Sequence, residues 1–256
     1  MRRNRGIQAL ALIGLLAAAP AYAEWSVNVQ IERFKWNEQI TPPPDVNETG
    51  GRAGVGWSWQ MDQETGLRWR YRGGLYAGSL KYKGQTLGTG TPAQGTSDYA
   101  GFVNEVHGLY RASSDSWLQV VAGLGFDYWQ RTFPFTSQRE DWSVWFTRVG
   151  VETGTWAKRG FFAGAGAKYP LYTNENGHLT DAGFDQNPEV RPGRELSAYA
   201  ELGYRLTPRW KFTGYYDSYR FAQSPVVNVT RGSSGFIVVQ PRSTQDVVGL
   251  RIDYYF

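Results

Sequence analysis

The chain has 256 residues, among them 27 lysines and arginines, 23 aspartates and glutamates, 11 tryptophans, 16 tyrosines, 13 phenylalanines, 31 glycines and no cysteine. The missing cysteine excludes disulfides, thiolate metal ligands and a thiol nucleophile. Mean hydropathy is negative and no run of roughly 18 apolar residues exists, which excludes a helical membrane protein but suits a sheet in which every second residue is polar.

Arg2, Arg3 and Arg5 precede an apolar run over 9–19, and Ala21-Tyr22-Ala23 has the A-x-A form of a cleavage site. Residues 1–23 therefore read as a secretory signal peptide, because the run is shorter than the roughly 20 residues of a spanning helix. The mature domain, 24–256, is expected to begin at Glu24. Setting the three leader arginines aside leaves 24 basic against 23 acidic residues, a formal charge of +1. No basic stripe remains to neutralise phosphates, so nucleic acid is excluded as a partner.

Alternating segments then run over 25–36, 51–61, 67–83, 98–112, 117–131, 141–153, 160–173, 194–206, 210–223 and 244–256. The expected fold is all-β: one antiparallel transmembrane β-barrel of about ten strands, with a range of about 8 to 12. The connections 62–66, 113–116, 154–159 and 207–209 are short and rich in turn residues, and are assigned to the periplasm. The connections 37–50, 84–97, 132–140, 174–193 and 224–243 are long and assigned outside, the last carrying Phe236-Ile237-Val238-Val239, which could extend the flanking strands as a hairpin.

A period of two fixes the facing. Over 117–131, Leu118, Val120, Ala122, Leu124, Phe126 and Tyr128 point to lipid, and Gln119, Gly123, Gly125, Asp127 and Arg131 point inward. Over 194–206, Leu196, Ala198, Ala200, Leu202 and Tyr204 oppose Ser197, Tyr199, Glu201, Gly203 and Arg205. Trp25, Trp57, Trp59, Trp69, Trp117, Trp156 and Trp210 stand near strand ends, where an indole can bury its ring and keep its N–H wet.

The lumen is expected to carry Arg68, Arg70 and Arg72 in a row, faced by Glu105, His107 and Arg111. Asp127, Arg148, Glu152, Lys168, Glu201, Lys211, Asp217, Arg251 and Asp253 also point inward. Such a row could guide an anion through a narrow pore, or its arginines could pair with lumen carboxylates and fill the barrel. Eight strands leave room only for side chains, so about ten favours the filled interior.

The final strand places Val248, Leu250, Ile252, Tyr254 and Phe256 on one face and Val247, Gly249, Arg251, Asp253 and Tyr255 on the other. It resembles the C-terminal assembly signal of Gram-negative outer-membrane β-barrel proteins, with Gly249, Ile252 and Tyr254 on its glycine and hydrophobic positions and Phe256 as the terminal aromatic. Val247 stands where that signal usually has a polar residue. The resemblance implies an outer-membrane location, contact with membrane lipid and lipopolysaccharide, and delivery by the barrel assembly machinery.

In strand number and loop layout the chain also resembles the omptin proteases, which activate water with an aspartate pair beside an aspartate-histidine pair. No Asp-x-Asp or Asp-x-His occurs here. Outer-membrane lipid hydrolases set a histidine two residues before the nucleophilic serine, whereas His107 precedes Leu109 and His178 precedes Thr180. Glu105 beside His107 reads as a satisfied interior pair. His178 with Asp181 and Asp185 reads as a polar loop rather than a cation site, and no phosphate loop, dinucleotide motif or repeat gives a cofactor a foothold. No enzymatic activity, metal or cofactor is expected. The expected function is a non-enzymatic surface barrel whose loops meet an extracellular ligand or serve a structural role; the alternative is a narrow passive pore for small solutes, anions among them, and an omptin-like or lipid-modifying enzyme ranks below both.

Overall fold

The structure is a computed structural model that describes residues 23–85, 90–133 and 139–256; apart from Ala23, the expected signal peptide lies outside the described residues. The wall of the molecule consists of β1 (Ala23–Gln39), β2 (Val46–Met61), β3 (Gly66–Gln85), β4 (Pro92–Arg111), β5 (Gln119–Thr132), β6 (Arg139–Thr153), β7 (Gly160–Asn176), β10 (Ser197–Arg205), β11 (Trp210–Ala222) and β14 (Arg242–Tyr255). Each pairs antiparallel with its neighbours, β7 with β10 and β11 with β14. β14 then pairs with β1 from Ser26↔Tyr255 to Gln39↔Arg242, so the ring of ten closes on itself. Closure leaves no free sheet edge, which is the condition for crossing hydrocarbon with strands.

The short turns and the barrel's two ends of chain share one rim, where the Phe256 N–H donates to the Trp25 carbonyl (3.0 Å). At the other rim the strands run further than the alternation alone indicates. The connections expected over 37–50 and 84–97 shrink to 40–45 and 86–91. A strand leaving the membrane keeps its hydrogen-bond partner, so polar residues prolong the ladder as well as apolar ones do. The two longest connections fold on each other. One holds a 3₁₀ turn (Leu179–Ala182), β8 (Glu189–Val190) and β9 (Gly193–Glu195); the other holds a hairpin of β12 (Val227–Arg231) and β13 (Ser234–Val238). Phe184 meets Phe236 edge-on at 5.4 Å, the Asp185 N–H donates to the Thr230 carbonyl (2.9 Å), and Leu179, Val190 and Val229 are buried. The hairpin around Phe236 thus exists, but as a separate two-stranded sheet rather than an extension of the wall.

The expected facing is present throughout. Val27, Val29, Ile31, Val106, Val120, Leu124, Val149, Leu202, Leu250 and Ile252 are exposed on the outer wall, while their sequence neighbours point inward. Above this belt the pattern inverts. In β1 the outward residues change from Val29 and Ile31 to Arg33 and Lys35, while the inward ones change from Gln30 and Glu32 to Phe34 and Trp36, both fully buried. In β6, inward Glu152 and Arg148 give way to Phe146, Val144 and Trp142, and outward Val151 and Val149 to Ser143 and Asp141. Within lipid the wall is apolar outside and charged inside; just above it the wall is polar outside and aromatic inside.

Trp156 departs from its expected place at the headgroup layer. It lies in the β6–β7 turn, half-buried, with the Arg111 guanidinium 4.0 Å from its ring, and lines the lower rim of the lumen. The electron-rich ring face offers the cation more than the headgroup layer would.

Candidate functional site: the lumen and its outer mouth

β3 and β4 carry the predicted charge cluster, and all six of its members point inward. Arg70 forms a two-pronged pair with Glu152 of β6 (2.6 and 3.0 Å), and Arg72 a looser one with Glu201 of β10 (3.2 and 3.4 Å). The planar guanidinium matches a carboxylate in this way, which makes such pairs strong and directional. Arg68 and Arg111 do not join carboxylates. Arg68 donates to the Gln63 carbonyl (2.8 Å) and to Gln119, and Arg111 to the carbonyls of Ser116 (2.9 Å), Ser114 and Glu64 (3.4 Å). These two arginines tie the short turns to the wall. Arg70 Nε donates to His107 Nδ1 (3.3 Å), which leaves His107 Nε2 as the protonated nitrogen of a neutral ring, 2.7 Å from Glu105 but off the line of a good hydrogen bond.

The remaining lumen charges form further clusters of the same kind. Arg148 spans Glu105 (3.2 Å) and Asp217 (3.0 Å); Lys168 meets Asp217 (2.5 Å) and lies 3.5 Å from the Tyr219 ring centre; Arg251 spans Glu201 and Asp253 (3.3 Å each). Arg52 pairs with Glu32 (2.7 Å) between the rings of Phe34 and Tyr76. Arg205 pairs with Glu24 (2.5 Å) at the lower rim and covers Tyr255. A polar cavity of about 150 Å³ lies beside these clusters, lined by Arg72, Tyr215 and Arg251 among others. It shares Glu24, Gln60 and Thr155 with a second cavity at the lower rim, and its upper lining includes Tyr76, Phe146, Tyr219 and Val247. Those four belong to an inward layer with Phe34, Trp36, Leu80, Tyr99, Trp129, Trp142 and Phe221, where Trp129 stacks on Trp142 at 5.3 Å and Trp36 meets Trp142 edge-on at 5.2 Å. The lumen is blind: wet from below and stoppered by aromatics above.

On that stopper sits a layer the sequence reading did not identify. Arg131 is held by Glu38 (2.7 Å), Glu140 (3.2 Å) and Glu48 (3.3 Å), and Glu48 also accepts from Ser97 (2.8 Å) and Tyr99. Glu175 Oε2 is buried with no hydrogen-bond partner among the described residues. Four buried glutamates thus surround one guanidinium, at the level of the outward-facing Arg139, Asp141 and Asn174 and therefore above the lipid belt. Burial, with Glu38 and Glu48 nearby, pushes Glu140 up to about 7 against the pull of Arg131. Burial, with Glu140 and Glu38, holds Glu175 well above the ordinary carboxylate range. The signal was present: Glu38, Glu140 and Glu175 share parity with Trp36, Trp142 and Thr173, but all three fell in segments read as loops or loop edges.

His178 stands elsewhere. It follows β7 in a left-handed conformation (φ 42°), and its Nε2 lies 2.7 Å from Asp141, a residue on the outer face of β6. Asp141 also accepts from Gln130 (3.0 Å). The contact latches the loop to the outside of the wall, one sheet thickness from the lumen, and His107 is only 1 % exposed.

At the closing strand, Gly249 faces inward beneath the ring of Tyr215, which occupies the place a Cβ would need. Tyr215 in turn donates to Glu32 (2.6 Å). Ile252, Tyr254 and Phe256 face outward, Phe256 at 76 % exposure, with the last two rings edge-on at 5.4 Å.

A closed ten-stranded barrel with an apolar outer belt, a charged interior and short turns at one rim is the outer-membrane class of β-barrel. No family model matches the chain, and no curated relative does. Among solved structures it is similar to the outer membrane protease OmpT from Escherichia coli, with a TM-score of 0.57 and 11% identity over 93% of this chain and 98% of that one. Other matches are the translocator domain of the autotransporter NalP from Neisseria meningitidis (TM-score 0.41, 6% identity, 96% and 92% covered) and Ail of Yersinia pestis (0.38, 8%, 92% and 99%). The OmpT likeness shows that the chain has the fold of an outer-membrane barrel, and the apolar belt around a closed, internally charged ring sets it in an outer membrane.

Proposed function

We propose that this barrel is a non-enzymatic surface protein: a filled scaffold that displays a folded cap to an extracellular partner. The observation that carries this reading is the stopper formed by Trp36, Trp129, Trp142 and Phe221 above an interior whose cations are held by carboxylates, carbonyls and amides of the wall. A pore would need this layer to be open, and a channel for anions would need arginines free to meet them. Arg70 and Arg72 are already taken by Glu152 and Glu201. The cap supplies the complementary support. It is internally packed, yet exposes Val226 and Ile237 (55 and 70 %) far from the lipid belt, and loops on a rigid scaffold are where recognition concentrates. Absence of catalysis is supported by the placement of both histidines, one sealed among lumen charges and one latched outside the wall.

The test is planar-bilayer conductance of the refolded protein, paired with adhesion of protein-bearing vesicles to immobilised extracellular-matrix components. Expected are a non-conducting barrel and adhesion that falls when Ile237 is replaced by Asp. Steady anion-selective current that weakens in Arg70→Gln and Arg72→Gln variants would instead make this a specific channel, and turnover of a peptide or phospholipid substrate would make it an enzyme.

A further inference from the structure

The hairpin of the cap has two edges, and only one of them is closed. Its register pairs Arg231 with Ser234, Val229 with Phe236 and Val227 with Val238 across a tight turn at 232–233, so these residues spend their backbone groups on each other. Asn228 and Thr230 turn theirs away from β13, and the rest of the cap meets them there. The Thr230 carbonyl accepts from the Asp185 N–H (2.9 Å), the Asn228 carbonyl from Gln186 Nε2 (3.1 Å), and the Asp185 carboxylate takes the Gly232 N–H (3.0 Å). Gly235 and Ile237, their partners across the ladder, point the opposite way. Both are exposed, and neither has a backbone partner on that side among the described residues. Val239 continues the same parity, before Gln240 bonds through its N–H and carbonyl with Ser224 (2.9 and 3.0 Å).

The open edge lacks the devices that keep strands apart. From Ser233 to Gln240 there is neither a charge nor a proline, and an unpaired strand of that kind is a template for another strand. Its spacing says which. The free groups fall at 235, 237 and 239, evenly about Ile237, so an antiparallel strand of the same sequence sets Ile237 opposite Ile237 and Gly235 opposite Val239. Each of these three facing pairs exchanges two hydrogen bonds, ~six in all. An edge bearing a charge would repel its own copy, and this one bears none. An apolar side chain that one cap leaves in water, Ile237, is covered by the same side chain of the other. We propose that the open edge of β13 pairs antiparallel with β13 of a second copy of this chain, joining two hairpins into one four-stranded sheet. A lone hairpin is marginal in water, and the added strands support it. Because 185–186 close the far edge of each β12, the sheet stops there and the assembly is a two-fold dimer. This pairing does not rest on the function proposed above: that reading needs a foreign partner, and this one needs only a second barrel.

The chain has no cysteine, so single introduced thiols report the register. The experiment uses the folded full-length barrel in detergent, with micelles in excess of protein, and reads the fraction of disulfide-linked dimer after mild oxidation; gel mobility of reduced samples before boiling checks the fold. Ile237→Cys should link to its own copy, since the residues of a hydrogen-bonded pair stand ~5.5 Å apart at Cα, within reach of a disulfide. Gly235→Cys and Val239→Cys should each link poorly alone and well when mixed, because the antiparallel register sets 235 against 239. Thr230→Cys, exposed but on the closed strand, should not link. Adding Ile237→Pro to both chains of the 235 and 239 mixture removes an outward N–H that no bond inside the hairpin uses, and should abolish the link. Should that proline loosen the hairpin, Ile237→Lys in both chains tests the same step, and Ile237→Lys in one with Ile237→Glu in the other should restore the link. Linkage at 230 as strong as at 237, self-linkage at 235 equal to that of the mixture, or a link that survives both the proline and the paired lysines would overturn the assignment. None of these readouts involves matrix components, so failure of self-pairing and failure of adhesion are separate results.

Discussion

Arg70 and Arg68 are two residues apart, equally inward, and different in kind. Removing Arg70 strands Glu152 in the lumen with only Gln119 as a partner (2.7 Å), whereas removing Arg68 strands a carbonyl and an amide. Breaking one side of a buried ion pair costs roughly 3–5 kcal/mol, and leaving a neutral buried acceptor without its donor about 1–3 kcal/mol. Arg70→Gln should therefore lower the temperature at which the barrel opens more than Arg68→Gln does, followed as loss of the fast-migrating folded band on heating. Equal losses would show that ion pairing is not the interior's chief support. Gly249 gives a second residue-level prediction. Gly249→Val must displace Tyr215, whose hydroxyl then leaves Glu32, so folded yield should fall sharply while Gly51→Val, in open space, is tolerated.

At the scale of the element, β14 separates assembly from stability. Phe256 is exposed at the rim, whereas Tyr255 is buried under the Arg205 guanidinium at 4.2 Å. Phe256→Asp should reduce the amount of barrel reaching the outer membrane, by placing a charge on the lipid face of the closing strand. Tyr255→Ala should reach the membrane normally and open at lower temperature; comparison of membrane yield with the heat transition distinguishes the two. The closing strand was readable in the sequence because one face is wholly apolar or aromatic from Val248 to Phe256 while the other carries Arg251 and Asp253. So were all ten wall strands, since lipid demands strict alternation. Their outer thirds were not. Beyond Ile31 the apolar parity reverses, so Phe34 and Trp36 look like a broken pattern when they are an intact pattern facing the other solvent. The glutamate layer escaped for the same reason: Glu38, Glu48, Glu140 and Glu175 come from four strands, and only the register brings them to one arginine. The Arg68, Arg70 and Arg72 row was legible as an inward set, but not the division of its partners, because pairing across a lumen has no spacing in the chain.

For the whole molecule, a ring of ten hydrogen-bonded strands should resist SDS until heated, so the protein should migrate differently before and after boiling; identical mobility would contradict closure. The transition should also depend on pH in a direction set by the mouth. A carboxyl raised from the ordinary range to about 7, as Glu140 is, binds a proton in the folded barrel that it releases when the barrel opens between the two values. Its contribution is complete below about pH 4.5 and fades as pH rises through about 7. Glu175 acts in the same sense. The opening temperature should therefore fall from mildly acidic to neutral pH, and Glu140→Gln together with Glu175→Gln should flatten that slope while raising stability at neutral pH. A steeper fall in the double variant would mean that other groups govern the mouth.

The inversion of polarity along each strand works as a waterline. Sinking the barrel by one outward residue would drag Arg33 into hydrocarbon, and raising it by one would lift Ile31 into water, so immersion is registered to within a single pleat on β1 and on β6 alike. A protein marked this way cannot answer a thicker bilayer by riding higher or lower. The membrane must thin or swell around it, or the whole cylinder must lean. Leaning would submerge a charged arc on one side, either Arg33 and Lys35 or Arg139 and Asp141, and so the molecule should stand at a fixed tilt and impose its own thickness on the lipids that surround it.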